Sequence, residues 1–326
     1  MSAHQLDSEP EFFDPTATEA DILACFRLLL GRLINPEERI GHLSMAGSQL
    51  TDVLPIYLQS LEFSRRGLMA TEDSSIQLAQ LDDFNIYASP EDAGVGRHVL
   101  AGSYEAEVTA VFRRFLRPGM NVVDIGANIG FFSMLSASIV GPSGSVLAIE
   151  PNPANARLVE ASRRSNGFDH VTVAQVAVGR ETGLLVLNAG RSNGTTSAPS
   201  DQLAELLAAT TVPCVTVDSL TSDRAHVDFV KIDVEGAEYN ALLGASQMLA
   251  RDRPFVVSEF SPAQLVGISG VDGETYLRWL IDQRYNLGII ELDGSLRDVG
   301  GDWAEVMATY RRRGIDHIDI VAAPTT

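Results

Sequence analysis

Apolar residues recur every three or four positions between residues 19 and 66, which is the spacing of one face of a helix. Asn35-Pro36 interrupts this pattern, and proline fits the first turn of a helix. The pattern predicts a small all-α domain over residues 17–70, between a flexible tail over 1–16 and an acidic connector over 71–95. The apolar positions that carry the prediction are Ile22, Leu23, Phe26, Leu29, Leu30, Leu54, Tyr57, Leu58 and Leu61.

From residue 96 onward, strand-like apolar runs alternate with helix-like segments, which indicates a parallel sheet covered by helices. We therefore predict an α/β domain over residues 96–326. A polar stretch with a short leucine-rich helix, residues 190–211, is inserted into this alternation and is interpreted as a lid over a sheet edge. The predicted strands cover 121–125, 145–150, 171–178, 212–217, 228–232, 255–260, 287–292 and 317–322, and the predicted helices cover 131–140, 153–166, 238–251 and 275–284.

Composition and charge narrow the class of protein. The chain is 45% hydrophobic, without the uninterrupted apolar run of roughly 18 residues that a membrane helix needs. Its net charge of −19 repels phosphate backbones and disfavours nucleic acid as a partner. The acidic amino terminus lacks the basic start and apolar stretch of a secretory signal, so we expect a cytoplasmic protein with no membrane span.

The first candidate site is a turn of small residues that follows the predicted strand 121–125. Its residues are Gly126, Ala127, Asn128 and Gly130, after Asp124 near the end of the strand. Small residues let the backbone approach a ligand, and the start of the next helix adds donors for a carboxylate or phosphate. Asp124 can hold an ammonium group or organise the turn. A dinucleotide fingerprint needs a third glycine where Phe131 stands, so NAD binding is not favoured.

Two further strand ends carry ionisable residues. Glu150 ends the next predicted strand, where a carboxylate can accept hydrogen bonds from ribose hydroxyls. Lys231, Asp233 and Glu235 follow a later strand and are expected to face the reacting centre. The structural alternative is that Lys231 pairs with Asp233 and that the glutamates only enrich the first turn of a helix. No metal site is predicted, although oxygen-ligand chemistry is compatible with an ion held by Asp233, Glu235 and Glu259.

These motifs occur together and in order: VVDIGANIGFFS, AIEPNP, VTVDSL and VDFVKIDVEGAE. In this they resemble the FkbM family of methyltransferases. The resemblance implies a class I methyltransferase (Rossmann-like) fold, with a seven-stranded sheet whose last strand is antiparallel, and S-adenosyl-L-methionine as cofactor. It implies that Asp124, Gly126, Ala127, Asn128 and Gly130 line the methionine part, that Glu150 grips the ribose and that Asp233 borders the sulfonium. It also implies that Ala177 passes the adenine and that Tyr104 and Glu105 begin a helix closing over the cofactor.

The leading region, with FRLLLGR and later Leu61-Glu62-Phe63, is similar to helical domains related to phycobilisome-linker repeats. That similarity implies docking or substrate presentation, through a docking partner or a homo-oligomer contact. An ordinary helical cap on the catalytic domain is the alternative interpretation.

Together these observations predict an S-adenosylmethionine-dependent O-methyltransferase that acts on a sugar or another small natural product. Transfer to a hydroxyl needs alignment and a group that takes the proton. Asp233 and Glu235 are the predicted bases, with Lys231 orienting a carboxylate or the acceptor, and His98 and His226 are alternatives. Two other functions stay open: a noncatalytic adenosyl-binding adaptor and a nucleotide-sugar oxidoreductase.

Overall fold

The computed structural model describes residues 15–66, 75–189, 193–224 and 226–325, and the chain forms two compact units, Met1–Ser74 and Ser75–Thr326. Most of the predicted tail, residues 1–14, lies outside the described residues. None of the helices in the described part of the chain is both long and apolar enough to cross a bilayer.

The described part of the first unit is helical. A side-chain cap from Thr18 begins α1 and Pro36 begins α2, because these residues satisfy or remove donors that the first turn leaves free. Ile22, Phe26 and Tyr57 from the predicted apolar face are buried, whereas Leu61 is exposed. The elements are α1 (Glu19–Ala24), a π-helix (Cys25–Leu30), α2 (Pro36–Leu43), α3 (Leu50–Leu58) and α4 (Leu61–Arg65).

The second unit begins with an antiparallel pair, β1 (Gln77–Gln80) and β2 (Asn85–Ala88). The backbone amide of Asn85 donates to Oδ1 of Asn166 at 2.7 Å, so the pair is tied to the end of a helix of the same unit. Residues 75–95 are therefore part of this unit, and they differ from the predicted connector over 71–95.

The centre of the second unit is an eight-stranded sheet. Its order is β13-β12-β14-β11-β10-β3-β4-β5, and β14 is antiparallel to both of its neighbours. The expected antiparallel last strand is confirmed, but an additional strand, β13, pairs with β12 at the edge. The strands are β3 (Asn121–Ile125), β4 (Ser145–Ile149), β5 (Val171–Ala174), β10 (Phe229–Ile232), β11 (Phe255–Phe260), β12 (Tyr285–Ile290), β13 (Leu296–Gly300) and β14 (Ile318–Pro324).

Both faces of this sheet are buried, which explains why its central strands are almost continuously apolar. Val123 and Val230 pack into the core on one face, and Val122 and Phe229 pack into the core on the other. The covering helices are α5 (Gly96–Leu100), α6 (Ala106–Phe115), α7 (Phe131–Val140), α8 (Pro153–Asn166), α10 (Val217–Thr221), α11 (Glu238–Leu243), α12 (Ser246–Asp252), α13 (Pro262–Ile268), α14 (Gly273–Asp282) and α15 (Trp303–Arg313).

A second sheet of four strands has the order β6-β9-β7-β8, and the predicted lid contributes β8 and the first residue of β9 to it. The predicted strand 171–178 is divided between the two sheets, since β5 ends at Ala174 and β6 pairs with β9. Residues 190–192 of the predicted lid lie outside the described residues. The elements are β6 (Ala177–Val178), β7 (Gly183–Ala189), β8 (Gly194–Ser197), α9 (Leu203–Ala208) and β9 (Thr211–Val215).

Candidate active site

A cavity of about 460 Å³ lies where the carboxyl ends of the parallel strands meet. Ligands bind at this edge in open α/β sheets, and the volume is that of an ordinary small-molecule site. Seven residues from the predicted site line the cavity: Tyr104, Glu105, Gly126, Asn128, Glu150, Asp233 and Glu235. The structure therefore brings together the ends of β3, β4 and β10, which lie far apart in the sequence.

The turn after β3 is held between the ends of its neighbouring strands. Gly126 has φ +81°, and a Cβ placed there would lie 1.8 Å from the carbonyl oxygen of Asp233. The amides of Gly126 and Ala127 both donate to the carbonyl of Ile149 at 3.0 Å. Glycine is thus required because the turn touches the chain that leaves β10, and not only because a ligand approaches it.

Glu150 is held in place by the same turn. Its Oε2 accepts the amide of Asn128 and its Oε1 accepts the amide of Asn152, both at 2.8 Å. Burial raises the pKa of this carboxyl to about 7, against the opposing effect of the two amides and of Asn155. Two backbone amides therefore hold the carboxyl group of Glu150 on the cavity wall.

Asp124 does not line the cavity. It is fully buried, its Oδ2 accepts the hydroxyl of Ser133 at 2.5 Å, and burial raises the pKa of its carboxyl. Its Oδ1 finds no hydrogen-bond partner in the described part of the chain. Of the two roles considered for Asp124, the geometry favours organising the junction between β3 and α7.

Lys231, the only lysine in the chain, is buried beside the cavity. Its Nζ lies 2.9 Å from Oδ2 of Asp233 and 5.0 Å from the centre of the Phe132 ring. Burial lowers the pKa of this ammonium, but the carboxylates of Asp233, Asp124 and Glu105 outweigh it and raise the pKa overall. Lys231 lines a narrow recess that shares Asp233 with the cavity. Its ion pair with Asp233 agrees with the structural alternative given for these two residues.

Glu235 and Glu259 form the acidic side of the cavity. Oε2 of Glu235 accepts the side-chain amide of Gln264 at 2.8 Å, and burial raises the pKa of Glu235. Burial also raises the pKa of Glu259, and the carboxylate of Asp233 raises it further. Both glutamates therefore favour the protonated form more strongly than an exposed glutamate does.

Several predicted residues lie elsewhere. Ala177 lies in β6, where it pairs with Cys214 in the second sheet, and it does not line the cavity, so its contact with adenine stays a prediction. His226 precedes β10 and lies 3.6 Å from Asp228, at the amino end of the strand, which excludes it as a base in this cavity. Gly130 packs against a neighbouring helix, at Val159, rather than against the cavity.

Sequence reasoning missed one pair of cavity residues, Asp316 and His317. Nδ1 of His317 lies 3.0 Å from Oδ1 of Asp316, just before β14 begins. The antiparallel direction of β14 places its first residue at the edge where the parallel strands end. The sequence signal that could have identified this pair is an Asp directly followed by a His, just before the last apolar strand.

The comparisons with known proteins concern mainly the second unit. The family model described as methyltransferase FkbM domain matches residues 124–287, half of the chain. Protein-L-isoaspartate O-methyltransferase 1 of Arabidopsis thaliana is 27% identical over 166 residues, which are 50% of this chain and 64% of that protein. Protein-L-isoaspartate O-methyltransferase 2 of Archaeoglobus fulgidus is 29% identical over 105 residues, 32% of this chain and 42% of that protein. The chain thus spans less than two thirds of the length of these relatives.

A solved structure, methyltransferase FkbM from Methylobacillus flagellatus KT, is 15% identical, with a TM-score of 0.44. The superposition covers 93% of this chain and 60% of that one.

Proposed function

The chain belongs to the FkbM methyltransferase family, and we propose that it transfers a methyl group to a hydroxyl of a sugar or another small natural product. S-adenosyl-L-methionine is the cofactor of this family. When bound, it supplies an electrophilic methyl group on a positively charged sulfur. The single observation that carries the proposal for this chain is the preoriented carboxyl group of Glu150 on the cavity wall.

The residues that are present fit this cofactor. In the proposed arrangement Glu150 accepts a ribose hydroxyl, because an ionised carboxylate has about four acceptor positions and Glu150 uses only some of them for Asn128 and Asn152. The turn at Gly126 holds the methionine part. Glu105 and Asp233 supply negative charge for a ligand that carries a sulfonium and an ammonium group.

The lining of the cavity also supports a hydroxyl acceptor without negative charge. Its described residues include seven carboxylates and no lysine or arginine. Phosphate and carboxylate groups are normally bound by such cations. A neutral polyol or sugar can instead donate its hydroxyls to the carboxyl and amide oxygens of the cavity.

The decisive test is calorimetric titration with S-adenosylhomocysteine. We expect wild-type protein to bind it and Glu150→Gln to bind about 1–3 kcal/mol more weakly, because a charged acceptor of hydrogen bonds is lost. Glu274→Gln, at an exposed glutamate outside the cavity, should bind like wild type. Binding of NADH by the folded wild type, without binding of S-adenosylhomocysteine, would contradict the proposal and favour an oxidoreductase.

The same titration should depend on pH. Hydroxyl donors favour the ionised form of Glu150, and its pKa of about 7 lies above that of an exposed glutamate. Affinity for S-adenosylhomocysteine is therefore expected to rise from pH 6 to pH 8, by up to about tenfold, and to level off above. In Glu150→Gln this part of the pH dependence should disappear. An unchanged slope in that variant would assign the effect to another group of the cavity.

A further inference from the structure

The proton of the acceptor hydroxyl needs a base, and the two predicted candidates are already engaged. Oδ2 of Asp233 is paired with Lys231 at 2.9 Å. Oε2 of Glu235 accepts from Gln264 at 2.8 Å. The ammonium of Lys231 makes Asp233 a weaker base than a free carboxylate. The pKa of Glu235 is raised, but its Oε2 already accepts the amide of Gln264, so this oxygen is not free to take a proton.

His317 lies in the same cavity with a partner that orients it. Its Nδ1 lies 3.0 Å from Oδ1 of Asp316, which leaves Nε2 for a bound molecule. The fold holds the backbone on both sides of His317, because the hydroxyl of Ser261 donates to the carbonyl of Asp316 at 2.9 Å and Phe260 pairs with Ile318 in the sheet. The Asp316 side chain itself is 85% exposed. His98 also lines the cavity, but it forms no ion pair with any carboxylate among the described residues.

We infer that His317 is the general base of the reaction and that Asp316 is its positioning residue. This inference rests on the proposed function. The O–H bond of the acceptor breaks, its proton passes to Nε2 of His317, and its electron pair stays on the oxygen that bonds the methyl carbon. The electron pair of the broken carbon–sulfur bond stays on sulfur, which becomes neutral. The imidazolium then returns its proton to water.

The surroundings of His317 favour this role. Asp316 can hold Nδ1 protonated, so that Nε2 is the nitrogen that accepts. The carboxyl groups of Glu235 and Glu259 line the same cavity as His317. The side chain is 42% exposed, so a route for the proton to solvent is present.

The experiment compares His317→Gln and Asp316→Asn with His226→Gln, a control at the other edge of the sheet. Formation of S-adenosylhomocysteine is measured with a mixture of methyl glycosides of glucose, mannose, galactose and rhamnose as acceptor probe. We expect His317→Gln to lose about 100- to 10,000-fold in kcat, Asp316→Asn to lose about tenfold, and His226→Gln to lose nothing. Added imidazole should restore part of the activity of His317→Gly, which a purely structural role would not allow.

A second readout needs no acceptor. In protein labelled with 15N-histidine, His317 should show the tautomer protonated on Nδ1, and Asp316→Asn should shift it toward the other tautomer. A wild-type His317 protonated on Nε2 would overturn the inference, as would full activity of His317→Gln. Affinity for S-adenosylhomocysteine should stay within about twofold in His317→Gln. Absence of binding by the wild type would instead refute the proposed function.

Discussion

Replacing Lys231 with methionine is expected to lower the free energy of unfolding by about 3–5 kcal/mol, because removing one partner of a buried ion pair leaves the other uncompensated. The ammonium of Lys231 is buried, and its nearest carboxylate, on Asp233, lies 2.9 Å away. The carboxylates of Asp124 and Glu105 also interact electrostatically with this ammonium. Methionine matches the length of the lysine stem, so the loss is mainly one of charge. Urea denaturation monitored by circular dichroism measures it.

The matched control is an exposed ion pair. Nε of Arg164 lies 2.5 Å from Oε1 of Glu160, and the Arg164 side chain is 73% exposed, so Arg164→Met should cost no more than about 0.5 kcal/mol. The loss of unfolding free energy in Lys231→Met should be smaller when Asp233→Asn is combined with it, and smaller at acidic pH. Both treatments neutralise carboxylates that have lost their positively charged partner. Equal losses in Lys231→Met and Arg164→Met would show that the buried cation does not hold this side of the site together.

Lysine rather than arginine at this position also has a physical reason. Apart from Lys231 and the histidines, every basic side chain of this protein is an arginine. A compact ammonium fits between the Phe132 ring and the carboxylate of Asp233, whereas the planar guanidinium is larger and needs more hydrogen-bond acceptors. The space at position 231 therefore favours a small cationic group over a larger one.

Local signals were sufficient for the elements that surround the glycine turn. The predicted bounds of β3, α7 and α8 are confirmed residue by residue. Two of them have a clear short-range cause: β3 is an apolar run of strand length before Gly126, and α8 begins at Pro153 after the cap of Asn152. Because these elements carry the turn and Glu150, the cofactor side of the candidate site could be predicted from the sequence.

The positions that the sequence did not predict correctly depend on long-range topology, which no local pattern contains. Residue 177 lies in the continuation of an apolar run, yet the chain leaves the main sheet after Ala174 and pairs with β9 instead. His317 was not predicted because its place in the cavity depends on the antiparallel direction of β14, which brings the amino end of this strand to the edge where the parallel strands end. Strand β13 escaped prediction for a similar reason, since it pairs only with β12 at the sheet edge.

The second large effect is expected for Gly126→Ala. The new Cβ would lie 1.8 Å from the carbonyl oxygen of Asp233, and φ at this position is +81°. Backbone strain and overpacking each cost about 1–3 kcal/mol, so we expect a loss of about 3 kcal/mol or more in the free energy of unfolding. The turn must then move away from β10, which also displaces the amide of Asn128 that holds Glu150. S-adenosylhomocysteine should therefore bind at least about tenfold more weakly to the variant that remains folded.

Gly167→Ala separates the two causes. Gly167 ends α8 with φ +65°, and a Cβ there would meet no atom within 4 Å. This variant carries the backbone strain without the collision, so it should lose only about 1 kcal/mol in stability and keep the wild-type affinity for S-adenosylhomocysteine. Equal effects of Gly126→Ala and Gly167→Ala on stability and on affinity for S-adenosylhomocysteine would contradict this prediction. The close approach of the β3 turn to Asp233 would then not determine the geometry of the cavity. A larger loss in Gly126→Ala alone would mean that contact between two strand ends, rather than glycine flexibility, shapes the cofactor side of the cavity.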